Sequence, residues 1–81
     1  MNENDDDIGS RLREIRTPLY KTQDDFSTAS DISREYISKI ETNKSDPSLS
    51  TLCKMAKSLN RPTYLLVKEL LLNDTHHDVL V

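Results

Sequence analysis

The sequence predicts a single domain made entirely of five short α-helices. Apolar residues recur three and four positions apart in successive segments, the spacing that places them on one face of a helix. Serine or threonine stands just before three of these segments, where its side chain can cap the first turn. The chain has only one glycine and three prolines, a composition that suits helices better than sheets. These three observations together predict an all-α fold.

The second and third helices are predicted within residues 22–41, joined by a tight corner. Thr22 can cap a helix over residues 23–30, with an acid three positions later at Asp25, as in a variant of the capping box. Asp31 is predicted to form the corner. Aspartate suits this position because it tolerates the left-handed backbone conformation better than most residues other than glycine. Ser33 caps the next helix, over residues 34–41. Two helices at a steep angle around such a turn form a helix-turn-helix.

The other helices are predicted over residues 7–16, 49–59 and 63–72, and proline marks the breaks between them. The apolar side chains on the inner faces of the helices should form the core. They are Ile8, Leu12 and Ile15; Phe26 and Ala29; Tyr36, Ile37 and Ile40; Leu49, Leu52, Met55, Ala56 and Leu59; Leu66 and Val67; and Ile32 at the corner. A core of this size is marginal, so oligomerisation would help to stabilise it.

The charges are distributed unevenly along the chain, whose net charge is −3. Residues 1–7 are predicted to form a disordered acidic tail and residues 73–81 a C-terminal tail, on either side of a domain of residues 8–72. All eleven Lys and Arg lie within residues 8–73, which also hold eight acids, so this part carries a charge of +3. A nucleic acid would therefore meet a positive face rather than a basic protein. The acids nearest Ile8 could cap the first helix, although a solvated tail is the favoured interpretation.

Several classes of protein are excluded by composition. No apolar run approaches the roughly 18 residues of a membrane span, and the acidic start does not resemble a signal peptide, so a cytoplasmic protein is expected. Cys53 is the only cysteine and should be a small, partly buried helix residue. His76 and His77 lack cysteine partners at metal spacing. Without a phosphate-binding loop or a nucleophile–base pair either, we predict no metal, no other cofactor and no enzyme activity.

The stretch TQDDFSTASDISREYISKIE, residues 22–41, resembles the helix-turn-helix of the phage repressor and Cro-like family of bacterial transcription regulators, which commonly reads TQxxLAxxxGVSxxxISxxE. The similarity continues without a gap from Ile8 to Val67, about three quarters of the chain. It implies a five-helix, lambda-repressor-like DNA-binding domain. It also implies a sequence-specific transcriptional regulator, either an autoregulatory repressor or a controller protein, that binds double-stranded operator DNA.

The chain departs from the family pattern between the first two helices. Lys21 stands where the family has a core leucine, so Leu19 or Tyr20 is expected to fill that space. Arg16 and Glu41 match a pair that bridges the first and third helices in relatives, and we interpret this pair as structural.

A helix fits the major groove of DNA with its N-terminal residues at the base edges. By resemblance, Arg34, Glu35 and Lys39 match the family's base-reading positions and Gln23 its phosphate-contacting glutamine. Each could instead be an ordinary surface residue, and Glu35 could orient Arg34 or repel wrong sequences. The complete predicted DNA-binding set is Thr22, Gln23, Ser33, Arg34, Glu35, Ser38, Lys39, Asn43 and Lys44.

The predicted fifth helix carries more apolar residues than a single buried face can hold. Tyr64, Leu65, Leu70 and Leu71 are left over once Leu66 and Val67 join the core, and surplus apolar surface usually marks an interface. A homodimer would present two recognition helices to a palindromic operator. Alternatively, these residues cover the core or pack against the Val-Leu-Val end.

The chain could also be an antitoxin that binds a partner toxin protein and regulates its own operon, or an interaction module without DNA binding.

Overall fold

A computed structural model describes residues 7–71, which form five α-helices and, within that range, no strand. The helices are α1 (Ile8–Arg16), α2 (Gln23–Ser30), α3 (Arg34–Glu41), α4 (Leu49–Ser58) and α5 (Thr63–Leu71). The predicted all-α fold is confirmed. The predictions for residues 1–6 and 72–81, including both histidines, lie outside the described residues.

Four of the helices begin at a side chain that accepts a hydrogen bond from a backbone N–H of the first turn. Thr22, Ser33 and Ser48 cap α2, α3 and α4, as predicted. Asp7 caps α1 by accepting from the backbone N–H of Ser10 at 2.9 Å. The favoured interpretation of the acids as solvated is therefore wrong for Asp7, whose carboxylate satisfies a donor that the helix itself leaves unpaired.

The cap lowers the pKa of Asp7 below its ordinary value of 3.8, chiefly through the hydrogen bond from the Ser10 backbone and then through Asn43. Because the pKa is lower in the folded state, the charged carboxylate stabilises the fold above pH 3.8, and that contribution is lost as the pH falls through the folded pKa. We expect Asp7→Asn, which keeps a capping oxygen, to be less stable than the wild type at neutral pH. Urea unfolding between about pH 7 and pH 3 should show the difference shrinking towards the acid end. A difference independent of pH would contradict this account.

Three helices end at a residue in the left-handed conformation, namely Asp31, Asn43 and Asn60 with φ of 62°, 62° and 60°. Only Asp31 was predicted from the sequence. The backbone N–H group after Asn43 donates to the Lys39 carbonyl, and the one after Asn60 donates to the Ala56 carbonyl. Such hydrogen bonds to the last helical turn are typical of a Schellman motif. Asparagine serves here in the position that glycine most often occupies.

The core is one apolar cluster, to which all five helices and the corner contribute. Its buried members are Leu12, Phe26, Ile32, Ile37, Ile40, Met55, Ala56, Leu59, Leu66 and Leu70, with Ile8, Ile15, Tyr20, Tyr36 and Leu52 half-buried against it. In this arrangement α1 packs on α3 and α5, α2 packs on α3 and α4, and α4 packs on α5.

Four core predictions need correction. Leu49, the first residue of α4, is 69% exposed. On this helix the contacts with the core begin at Leu52, which is itself only half-buried. Ala29 is exposed on the outer side of α2. Leu70, which was expected to be left over for an interface, is only 3% exposed. It follows Leu66 by four residues and therefore lies on the same face of α5, whereas Val67 is only half-buried.

Tyr20 rather than Leu19 fills the rebuilt corner after α1. Its ring stacks on Phe26 with the centroids 5.6 Å apart, and its hydroxyl donates to the Ser58 carbonyl at 2.8 Å. Leu19 remains 49% exposed. The tyrosine therefore joins the end of α1 to both α2 and α4.

Candidate nucleic-acid interface

The corner between α2 and α3 is closed by local hydrogen bonds. Asp31 takes the left-handed conformation, and its backbone N–H donates to the Ser27 carbonyl at 2.9 Å. The Ser27 hydroxyl donates to the Ile32 carbonyl, so the small side chain joins the two sides of the turn. Ile32 is buried beneath the corner. These contacts hold α3 at a defined angle to α2, as a helix-turn-helix requires.

One face of α3 is anchored in the core and the opposite face is open. Ile37 and Ile40 are 0% and 1% exposed. Arg34, Glu35 and Lys39 are exposed and Ser38 is partly exposed. The structure therefore brings four of the predicted DNA-binding residues together on one accessible helix face.

Arg34 is paired with an acid that was not predicted to belong to the site. Its Nε lies 3.2 Å from Oδ1 of Asp24, in the first turn of α2. The two side chains are 54% and 79% exposed, so the ion pair lies on the surface at the junction of the two helices. The sequence alone does not reveal this pairing, because the spacing of residues does not show which partner lies across a corner.

Ser33 and Thr22 are exposed and act as caps in the structure. The Ser33 hydroxyl accepts from the Tyr36 backbone N–H at 3.2 Å, and the Thr22 hydroxyl accepts from Asp25 at 3.0 Å. Both hydroxyls therefore stand at helix N-termini, which suit phosphate because their free N–H groups point outward.

Gln23 is held by a buried polar network. Its Nε2 donates to Oε1 of Glu41 at 3.0 Å, and the same carboxylate accepts from Nε and Nη2 of Arg16, each at 2.9 Å. The remaining Nη1 of Arg16 donates to the carbonyls of Tyr20 and Lys21. The Arg16–Glu41 pair is therefore the structural bridge between α1 and α3 that was predicted, and Gln23 adds α2 to it.

Asn43 and Lys44, the loop residues after α3, have different surroundings. Oδ1 of Asn43 accepts from the Gly9 backbone N–H at 3.0 Å, and the Asn43 side chain also hydrogen-bonds to Asp7. The side chain expected to reach DNA therefore joins the loop to the start of α1. Lys44 is exposed, with only its backbone N–H engaged in ending α3, so its ammonium group remains at the surface.

Tyr36 holds the C-terminal end of the loop after α3, a role that the sequence did not reveal. It was predicted to be an apolar core residue and is half-buried against the core. Its hydroxyl also donates to the Asp46 carbonyl at 3.3 Å and accepts from the Ser48 backbone N–H at 3.4 Å. The loop that carries Lys44 is thus tied to α1 through Asn43 and to α3 through Tyr36.

Other kinds of site find little support in the part of the chain that the structure describes. No group of three His, Cys, Asp or Glu side chains within residues 7–71 could hold a metal ion. None of the five helices is both long and apolar enough to cross a membrane. Cys53 is exposed, contrary to the prediction that it is partly buried, because it lies on the side of α4 away from Met55 and Ala56.

A comparison with known protein families supports the same assignment. A family model described as helix-turn-helix matches residues 12–66, which contain the whole of α2, α3 and α4. Neither the curated proteins nor the solved structures include a match to the chain. The matching family consists of DNA-binding regulators of the Cro and C1 type and is not a family of enzymes. The chain therefore belongs to the Cro/C1-type helix-turn-helix family and is a DNA-binding transcriptional regulator.

Proposed function

We propose that the protein is a sequence-specific regulator, an autoregulatory repressor or controller, that binds a palindromic operator as a dimer with α3 in the major groove. The observation that carries this proposal is the division of α3 into two faces. Ile37 and Ile40 anchor one face in the core, while Arg34, Glu35 and Lys39 project from the other. A rigidly held helix with donors and an acceptor at its open face is what direct readout of base edges needs.

The side chains of α3 suit different base edges. Arg34 and Lys39 can donate to O6 and N7 of guanine, and Glu35 can accept from N4 of cytosine. Ser38 can bond to either kind of edge. These four residues would supply the sequence preference.

Residues around α3 would position it on the DNA backbone. Thr22, Gln23 and Ser33 stand at the N-termini of α2 and α3, where backbone N–H groups can meet phosphate. Lys44 supplies a positive charge after α3. Asn43 contributes mainly by holding this loop against α1, because its side chain is already bonded to Gly9 and Asp7.

The proposal is tested by comparing Arg34→Ala with Lys44→Ala. Arg34→Ala should cost about 1–3 kcal/mol per half-site and relax the preference at one base pair, a guanine. Lys44→Ala should weaken binding to all sequences about equally and lower the salt slope by about one unit for each phosphate that the lysine neutralises. Both side chains lie outside the core, so both variants should fold normally.

The DNA for this comparison comes from selecting bound sequences out of a random duplex pool. Binding isotherms are then measured at several salt concentrations on the selected duplex and on a scrambled one. A dimer should select half-sites about 34 Å apart, or a multiple of that distance. Equal reductions in affinity on both duplexes for Arg34→Ala would remove direct readout from Arg34 and leave Glu35 or Lys39 to carry it. Failure of the wild type to prefer any sequence would contradict the proposed function itself.

The proposed dimer uses the outer side of α5. Tyr64 and Leu71 are 73% and 56% exposed, and Leu65 is partly exposed. Leu71 also borders an apolar groove, whose other lining residues include Ile8, Pro47, Leu52 and Val67. Exposed apolar side chains beside an apolar groove suit a second protein surface, and a second copy of the chain is the partner that a palindromic site requires.

We expect Leu71→Lys to shift the protein from dimer to monomer and to weaken operator binding, because it places a charge in the proposed interface. Leu19→Lys is the matched control, since Leu19 is also an exposed leucine but lies after α1. Leu70→Lys is unsuitable, because Leu70 belongs to the core and a charge there would unfold the domain. Sedimentation at micromolar concentration and on DNA measures the result. A wild type that is monomeric in both conditions would contradict the proposed dimer and leave the α5 surface for the end of the chain or for another protein, as in an antitoxin.

A further inference from the structure

We propose that Asp24 is a specificity-determining residue that positions Arg34 for base readout. This inference rests on the proposed function, because it concerns how the same face of α3 reads DNA. Asp24 lies in the first turn of α2, and Arg34 is the first residue of α3. Oδ1 of Asp24 lies 3.2 Å from Nε of Arg34, so the ion pair crosses the corner of the helix-turn-helix.

The atoms that form the ion pair determine which donors remain for DNA. A guanidinium carries five N–H donors in a planar fork, one of them on Nε and four on the two terminal nitrogens. The contact with Asp24 is made through Nε. The two terminal nitrogens therefore remain, and they can point two parallel N–H groups at O6 and N7 of a guanine.

The contact at Nε limits the rotamers that the Arg34 side chain can adopt before DNA is bound. An exposed arginine samples many rotamers, and the ordering of such a side chain opposes binding. A carboxylate on the neighbouring helix reduces that entropic cost when it favours a rotamer compatible with the base edge. The pair is exposed, so it contributes little to the stability of the fold. Its consequence should be visible in DNA discrimination instead.

The charge of Asp24 makes a second, opposite contribution. A carboxylate near the start of α2 repels the phosphate backbone and so weakens binding to every sequence. Asp24 should therefore lower non-specific affinity while it raises the preference for the base that Arg34 reads. A carboxylate that acted only through its charge would change specific and non-specific binding by the same factor.

The neighbouring Asp25 provides a matched control for the charge. It stands in the same first turn of α2 and is also exposed. Within residues 7–71, the ion pair with Arg34 is made by Asp24, whereas the backbone N–H of Asp25 donates to the Thr22 cap. Asp24→Asn and Asp25→Asn remove one negative charge from the same helix turn, but only Asp24→Asn removes the ion pair.

The experiment measures the ratio of affinities for the selected and scrambled duplexes in a double-mutant cycle. The proteins are the wild type, Asp24→Asn, Asp25→Asn, Arg34→Ala and the double variant Asp24→Asn/Arg34→Ala. Asp24→Asn should reduce the ratio by roughly 2- to 10-fold per half-site, the lower part of the range of coupling between contacting residues, because the pair is exposed. Asp25→Asn should raise both affinities and leave the ratio unchanged. In the Arg34→Ala background, Asp24→Asn should no longer alter the ratio.

The outcomes separate this inference from the function on which it rests. A wild type without preference for the selected duplex would overturn the proposed function. A wild type that discriminates, together with an Asp24→Asn variant that behaves like Asp25→Asn, would overturn the positioning role and leave the function intact. An increased ratio in Asp24→Asn would also overturn it, because Asp24 would then be withholding Arg34 from the DNA.

Discussion

Replacing Glu41 by alanine should lower the free energy of unfolding by about 3–5 kcal/mol, the usual cost of removing one partner of a buried ion pair. The Glu41 and Arg16 side chains are only 3% and 5% exposed, and both oxygens of the carboxylate accept hydrogen bonds from the guanidinium. Alanine at position 41 would leave a buried guanidinium without its counter-charge and would also deprive Gln23 of its acceptor. Urea unfolding at neutral pH measures the decrease.

A second pair in the same domain serves as the control. Arg61 and Glu69 form an ion pair whose side chains are 22% and 36% exposed. Glu69→Ala should therefore cost no more than about 1 kcal/mol, as is usual for pairs in contact with solvent.

The double variant Arg16→Met/Glu41→Leu should lose less stability than the sum of the two single substitutions, since no charge is left unpaired. Strict additivity would contradict the assignment of Arg16 and Glu41 as one buried unit.

Replacing Gly9 by alanine should destabilise the domain by about 2 kcal/mol, within the range found for overpacked positions. A Cβ atom at Gly9 would lie 2.4 Å from the Glu41 carbonyl oxygen and 2.6 Å from that of Ile40. These are backbone atoms at the end of α3, so α1 or α3 would have to move. The displacement outweighs the gain of about 1 kcal/mol that alanine has over glycine in a helix.

The effect of Gly9→Ala should extend to the candidate interface. The Gly9 backbone N–H donates to Asn43, so a shift of α1 also disturbs the loop that carries Lys44. Arg13→Ala, at an exposed position of α1, is the control and should change stability by no more than about 0.5 kcal/mol. Thermal or urea unfolding of both variants tests the prediction. An unchanged stability of Gly9→Ala would show that α1 and α3 do not need so close an approach.

Much of the candidate site followed from the sequence, because the residues of one short helix share a face by their spacing alone. Arg34, Glu35, Ser38 and Lys39 could be assigned to the open face of α3 once Ile37 and Ile40 were assigned to the core. The partners of these residues could not be assigned in the same way. Asp24 is ten residues from Arg34 in the chain, and only the angle between α2 and α3 brings their charged groups together.

The sequence by itself determined the five helices, three of their caps, the left-handed corner at Asp31 and the family. Each of these depends on interactions within a few residues, such as the hydroxyl of Thr22 with the backbone of Asp25, or on a continuous motif. Only the tertiary structure decided that Leu70 is buried and Leu49 exposed, that Gly9 must lack a side chain, and that Asn43 holds α1. These features depend on which helix lies opposite at each point, and the periodicity of a single helix carries no information about its neighbours.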